Sequence, residues 1–307
     1  MAVFQALGRQ FTQISTAPQV QPAARLVARV SDERFADLGA PKRIWAISAI
    51  NGETARLTAL HDALAHDFQP GDRLVYLGNY LGAGSADRSA LDKVIAFRRF
   101  LLAMPGLMVD DIAYLRGTME EMWHKLLQLQ FCREPAAVLD WMESFGMGNI
   151  LAAYGSSIAE ARVYLRDRPL GLVKWTNQLR QARRAAPAHE VFASVLKRAA
   201  FTREPSGAPG PLLFVHAGID PRLPLSQQND QFWWGARHFN KISQEEGFAP
   251  FARVVRGYSP AAPMVQNDGR AVTIDGGAGR GGELALTCFA GAGQPQPYGQ
   301  IIGQWGF

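Results

Sequence analysis

The sequence predicts an α/β fold with a parallel core. From Lys42 onward, apolar strands and amphipathic helices alternate in the order β-α-β-α-β. Each early strand runs into a short glycine-bearing turn. After a long helical stretch, strand signals return from Leu212 to Phe289.

The first strand is Arg43–Ile47, which leads into Ser48-Ala49-Ile50-Asn51-Gly52. Glu53–Ala65 follows with Leu57, Leu60 and Leu64 at helical spacing. Asp72–Leu77 is the second strand and ends at Gly78. Asp87–Ala103 is a helix with Leu91, Val94, Ile95 and Phe97 inward and Arg98 and Arg99 outward. Ile112–Leu115 is the third strand, ending in Arg116-Gly117. Parallel strands joined this way place their functional loops at the strand carboxyl ends.

The segment 119–200 reads as mostly helical, with breaks at Gly146-Met147-Gly148, at Tyr154–Ser157 and around Pro169. Ser206–Pro211 reads as a loop. Strand signals resume at Leu212–Val215, Arg253–Val255, Val272–Ile274 and Leu284–Phe289. The expected organisation is an N-terminal extension (1–41), one domain (42–292) with a mainly helical insert (119–205), and a tail (293–307) that ends on Trp305 and Phe307. The letters of Gly277–Gly282 fit a dinucleotide fingerprint. They precede a strand instead of opening a helix, so a tight turn is expected there.

Composition sets limits. The 307 residues are 48% hydrophobic and 19% charged, which suits a packed globular chain. The net charge is +5, but Lys and Arg are dispersed, and no basic stripe interleaved with aromatics suggests nucleic acid. Cys132 and Cys288 lie far apart and read as buried thiols. There is no long apolar run to span a bilayer and no secretory leader pattern, so a cytoplasmic location without membrane association is expected.

Five strand ends carry similar turns: Ser48–Gly52, Gly78–Gly84, Arg116–Glu120, Val215-His216-Ala217-Gly218 and Val255–Pro260. Their order and spacing resemble the calcineurin-like metallophosphatases, in particular bacterial Ser/Thr protein phosphatases. The resemblance covers roughly residues 42–290. It implies a four-layer α/β/β/α sandwich, two mixed sheets flanked by helices. In that family the turns read Gly-Asp-x-His-Gly, Gly-Asp-x-x-Asp-Arg-Gly, Gly-Asn-His-Glu, His-(Ala/Gly)-Gly and Gly-His-Thr-Pro. They hold two cations, a general acid and a phosphate clamp.

Carried over residue by residue, most of these groups are absent. The first Asp and His fall on Ala49 and Asn51, and the bridging Asp falls on Asn79. The second acidic residue of that turn is Gly82, and the clamp Arg is Ala83. The metal-binding Asn is Thr118 and the acid His is Met119, while Glu120 survives. The last ligand His is Tyr258. Of the ligands the resemblance implies, only His216 remains. Hydrolysis by the family route needs two cations roughly 3.5–4 Å apart. Alanine offers no donor atom, an amide is a poor bridge, and methionine cannot deliver a proton. The expectation is therefore a chain with no metal cofactor and no catalytic residues.

Substitute ligands would have to come from the other histidines. His61 and His66 are expected to face solvent. His124 lies one turn past Met119, on a helix surface. His189 and His238 have no matching acidic cluster, and His216 is expected to be a hydrogen-bonded core relic. Arg256, Arg280, Arg237 and Arg116 are candidates for a metal-free anion pocket with Asn79. Alternatively, these arginines replace the missing cations internally by pairing with Asp275 or Glu120. Trp233-Trp234 is expected to pack in the core. The leading functional expectation is a pseudophosphatase that binds a protein partner, either phosphorylated or an active phosphatase relative. The alternatives are a divergent phosphoesterase with weak or single-metal activity, and a structural subunit joined through the helical insert and aromatic tail.

Overall fold

The computed structural model describes residues 33–82, 88–167, 169–203, 210–244, 247–290 and 294–296. Ala83, the aromatic end of the tail and most of the N-terminal extension lie outside the described residues.

The strands are β1 (Phe35–Asp37), β2 (Arg43–Ile47), β3 (Arg73–Tyr76), β4 (Ile112–Tyr114), β5 (Ala199–Phe201), β6 (Leu212–Val215), β7 (Arg253–Arg256), β8 (Met264–Asn267), β9 (Ala271–Asp275), β10 (Leu286–Ala290) and β11 (Gln294–Gln296). The helices are α1 (Thr54–Asp67), α2 (Ser89–Leu102), α3 (Thr118–Leu126), α4 (Pro135–Ser144), α5 (Met147–Ala153), α6 (Ile158–Tyr164), α7 (Leu170–Arg184), α8 (Pro187–Val195) and three one-turn helices, α9 (Gln231–Trp234), α10 (Ala236–Phe239) and α11 (Lys241–Gln244).

Two mixed sheets form. One runs β11-β10-β2-β3-β4, with β2, β3 and β4 parallel and β10 antiparallel to β2. The other runs β1-β5-β6-β7-β9-β8, with β6, β7 and β9 parallel. Strand alternation explains the layering. Ile44, Ala46, Val75 and Ala113 point inward, toward Leu212, Phe214, Val255, Val272 and Ile274 of the opposite sheet. Trp45, Ile47, Leu74, Tyr76, Ile112 and Tyr114 point outward, under α1–α8. Leu213, Val215 and Val254 face the other way, under the one-turn helices, with Phe232, Trp233 and Phe239. The result is the expected α/β/β/α sandwich.

The boundaries differ from the sequence expectation. β1 pairs in parallel with β5, and Phe35 and Leu38 are buried, so the sheet begins inside the presumed extension. At the other end β11 pairs with β10 and carries the sheet past residue 292. Both strands are three residues long, too short for periodicity to show. The 277–282 segment is a tight turn: Gly282 N–H and Arg280 N–H both donate to Gly277 O. It links β9 of one sheet to β10 of the other. Both cysteines are buried and neither forms a disulfide. Among the described residues no helix is long and apolar enough to cross a membrane.

Candidate functional site

The five turns meet at one edge of the sandwich, laced by backbone hydrogen bonds. Ala49 N–H donates to Gly257 O at 3.0 Å, Asn51 N–H to Asn79 O at 2.6 Å and Gly257 N–H to His216 O at 3.1 Å. The second and third turns touch so closely that a Cβ on Gly78 would sit 2.6 Å from Gly117 Cα. Gly78 also has φ +96°, a conformation side chains resist. Asn51 and Asn79 are left-handed as well, with φ of 51° and 53°. Asparagine and aspartate tolerate that region better than most residues. The backbone demand at these two places therefore fits the amides that are present.

The two asparagine side chains form a directed relay. Met119 N–H donates to Asn79 Oδ1 at 3.0 Å, Asn79 Nδ2 donates to Asn51 Oδ1 at 3.1 Å, and Asn51 Nδ2 donates to Ala278 O at 2.8 Å. The two outer partners fix both amide orientations, because a main-chain N–H needs an oxygen and a carbonyl needs an N–H. Two carboxylates facing each other at this distance need a cation between them. An amide oxygen facing an amide N–H needs none.

The remaining polar groups are paired in the same way. Glu120 accepts from the main-chain N–H of Gly117, Asn79 and Tyr80 at 2.8–2.9 Å, so it staples the second turn to the third. Burial raises its pKa, and these three bonds oppose the shift. His216 is fully buried, and burial lowers its pKa to about 4. Its ring is therefore neutral near neutral pH and carries a single N–H. Nδ1–H donates to Leu77 O at 2.5 Å, leaving Nε2 to accept the Thr118 hydroxyl at 3.0 Å. Neither ring nitrogen is left for a cation. Tyr258 stacks on His216 at 5.2 Å, and the Arg280 guanidinium lies 5.0 Å from the Tyr258 ring centre.

These residues do not fit a dinuclear metal centre. Ala49 has no ligand atom. Asn51, Asn79, Thr118 and His216 spend their polar atoms on one another and on the main chain. Tyr258 is a phenol held in a stack. Among the described residues no group of three His, Cys, Asp or Glu is placed to hold a metal ion.

The four candidate arginines do not share one pocket. Arg280 pairs with Asp275 and donates to Ser259 O at 2.8 Å, which is the internal replacement the sequence allowed. Strand alternation puts Arg256 on the outer face of its sheet, where its Nη1 still donates to Ala217 O of the fourth turn at 3.5 Å. There it donates through Nε to Thr273 Oγ1 at 2.9 Å and lies 4.2 Å from the Phe239 ring centre. Burial lowers its pKa to about 10. Arg237 is exposed on α10. Arg116 donates to Glu121 at 3.2 Å and borders a separate cavity.

The histidines also depart from expectation. His61 is buried, not solvent-facing. It follows Leu57 by four residues and so shares the apolar face of α1, stacked 4.0 Å from Phe97 with Nε2 2.8 Å from Tyr76 Oη. Burial lowers its pKa to about 3. His189 is buried between Tyr154 Oη at 2.9 Å and Asp92 at 2.8 Å. His124 lies on the helix surface as expected, 2.9 Å from Gln128. The cavity that His124, His189 and Arg116 line, about 240 Å³ in volume, was not foreseen, because its walls come from segments distant in sequence.

No protein-family model matches this sequence, and no curated protein matches it. Several solved structures are similar to it. A candidate diadenosine tetraphosphatase is 17% identical, covers 86% of this chain and 96% of its own, and superposes with a TM-score of 0.50. A Saccharomyces cerevisiae serine/threonine phosphatase similar to human phosphatase PP5 is 11% identical over 88% and 83% of the two chains, with a TM-score of 0.47. A cold-active protein-tyrosine phosphatase from Shewanella is 13% identical over 86% and 81%, with a TM-score of 0.41. Two mixed sheets with helices outside and the turns at one edge make this the calcineurin-like metallophosphoesterase fold.

Proposed function

We propose that this chain is a pseudophosphatase, a metallophosphatase fold that works by binding and not by metal-dependent hydrolysis. The supporting observation is the amide relay from Met119 N–H through Asn79 and Asn51 to Ala278 O. It occupies the positions of the bridging carboxylate and first-site ligands with groups that neutralise one another. Met119 at the acid position carries no transferable proton. The ligand is a protein partner, either phosphorylated or an active relative of the same fold. A protein partner is supported by apolar side chains left exposed on the helical insert: Phe131, Val163, Leu170 and Val191 are each more than half exposed.

The test is metal analysis together with turnover. Purified protein loaded with manganese is expected to hold no stoichiometric ion and to leave p-nitrophenyl phosphate uncleaved above buffer. Two tightly held ions with measurable turnover would overturn the proposal.

A further inference from the structure

We infer that the cavity beside the closed turns is a binding site for a small planar aromatic anion, an aromatic ring bearing a phosphate or carboxylate. It lies between α3, α5, α8 and the turn after β3, and its volume is about 240 Å³. It does not depend on the loss of the metals, since none of the residues argued below belongs to the amide relay.

The walls are flat and fixed. Tyr80, Trp123, Tyr154 and Phe192 line the cavity. Phe192 stands edge-on to Tyr80 at 4.8 Å, and Trp123 lies 5.0 Å from Tyr154. Tyr154 is held from behind. Its hydroxyl donates to His189 Nδ1 at 2.9 Å, and His189 Nε2–H donates to Asp92 at 2.8 Å. Pre-set aromatic surfaces of this kind take a ring with little ordering penalty.

Two guanidiniums, Arg116 and Arg183, and two carboxylates, Glu120 and Glu190, line the cavity, and both carboxylates are engaged by protein donors. Both Glu120 oxygens are filled by main-chain N–H groups. Arg183 meets Glu190 through Nε alone, and Arg116 meets Glu121 through Nη1 alone. Each guanidinium thus keeps N–H groups with no acceptor among the described residues. Trp123 is 7% exposed, and its buried indole N–H likewise has no acceptor among them. The buried Trp123 donor is costly to leave open, and the guanidiniums of Arg116 and Arg183, 27% and 23% exposed, can exchange water for the oxygens of a ligand. Guanidinium groups select anionic oxygens, and the rings select an aromatic body.

The experiment is isothermal titration of the full chain with phenyl phosphate and with benzoate. Inorganic phosphate and benzyl alcohol test each half of the ligand separately. At least one aromatic anion is expected to bind saturably at one site, with both halves about tenfold weaker or more. Arg183→Gln is expected to weaken binding about tenfold. Ala193→Phe, which fills the cavity from α8, is expected to abolish it, and Arg99→Gln on exposed α2 surface to leave it unchanged. Circular dichroism confirms that each variant is folded. No saturable heat from either aromatic anion in the millimolar range would overturn the inference. So would inorganic phosphate binding as well as phenyl phosphate, or undiminished binding in folded Ala193→Phe. Metal content and turnover are measured on the same sample, so failure here is distinct from failure of the pseudophosphatase reading.

Discussion

The closed turns and the neighbouring cavity share a border at Met119, yet their polar chemistry is opposite. In the turns the polar side chains pair with one another: Asn79 with Asn51, Thr118 with His216, and Arg280 with Asp275 just behind them. In the cavity Arg116, Arg183 and Trp123 keep donors without acceptors. Buried polar groups pair internally in the turns, because a buried unpaired group is expensive.

The largest expected effect comes from breaking the backbone that holds the turns together. Gly78→Ala places a Cβ against Gly117 at a positive φ and is expected to destabilise the fold by about 3 kcal/mol or more, read from urea unfolding. If stability holds, the turns are looser than the packing implies. The next effect is on acid stability. His216 and His61 are held neutral by burial, with pKa lowered to about 4 and about 3 from 6.5. The unfolded chain therefore takes up these protons first. Stability is full above about pH 6.5, falls with pH toward about 3, and levels off below that. Melting temperature against pH checks this, and a flat profile from pH 7 to pH 4 would place both rings in contact with water.

The smallest effect sharpens the contrast most. Asn79→Asp sets a carboxylate oxygen against Asn51 Oδ1, where the wild-type distance is 3.1 Å. It is expected to cost about 1–3 kcal/mol and to recruit no metal, because Ala49 still supplies no ligand. Thermal melts with and without manganese distinguish the outcomes. A manganese-dependent rise in the variant would mean that the turns remain a cation site one substitution away.

Much of the architecture was legible in the sequence. Strands β2, β3, β4 and β6 are short apolar runs that end at glycine, and α1 and α2 have clear helical periods. The poverty of metal-binding chemistry in the turns was also legible, because Ala49, Asn79 and Met119 offer no carboxylate or imidazole. The partners of the surviving groups were not. Asn51 bonds to Ala278, 227 residues away, and no local pattern announces that. His61 was readable and was misread: its spacing from Leu57 and Leu64 puts it on the apolar face, but its polarity suggested solvent. Arg256 teaches the same lesson in a strand, where period two sets its guanidinium under the one-turn helices, against Thr273 and Phe239. The cavity joins the turn at Tyr80 to α8 more than a hundred residues later, which only tertiary packing brings about.

The asparagine relay changes what this protein needs from its surroundings. Turns laced by amide to amide are complete once the polypeptide has folded. On the proposed pseudophosphatase reading they wait for no delivery of trace elements, and a cell starved of manganese or iron leaves them as they are.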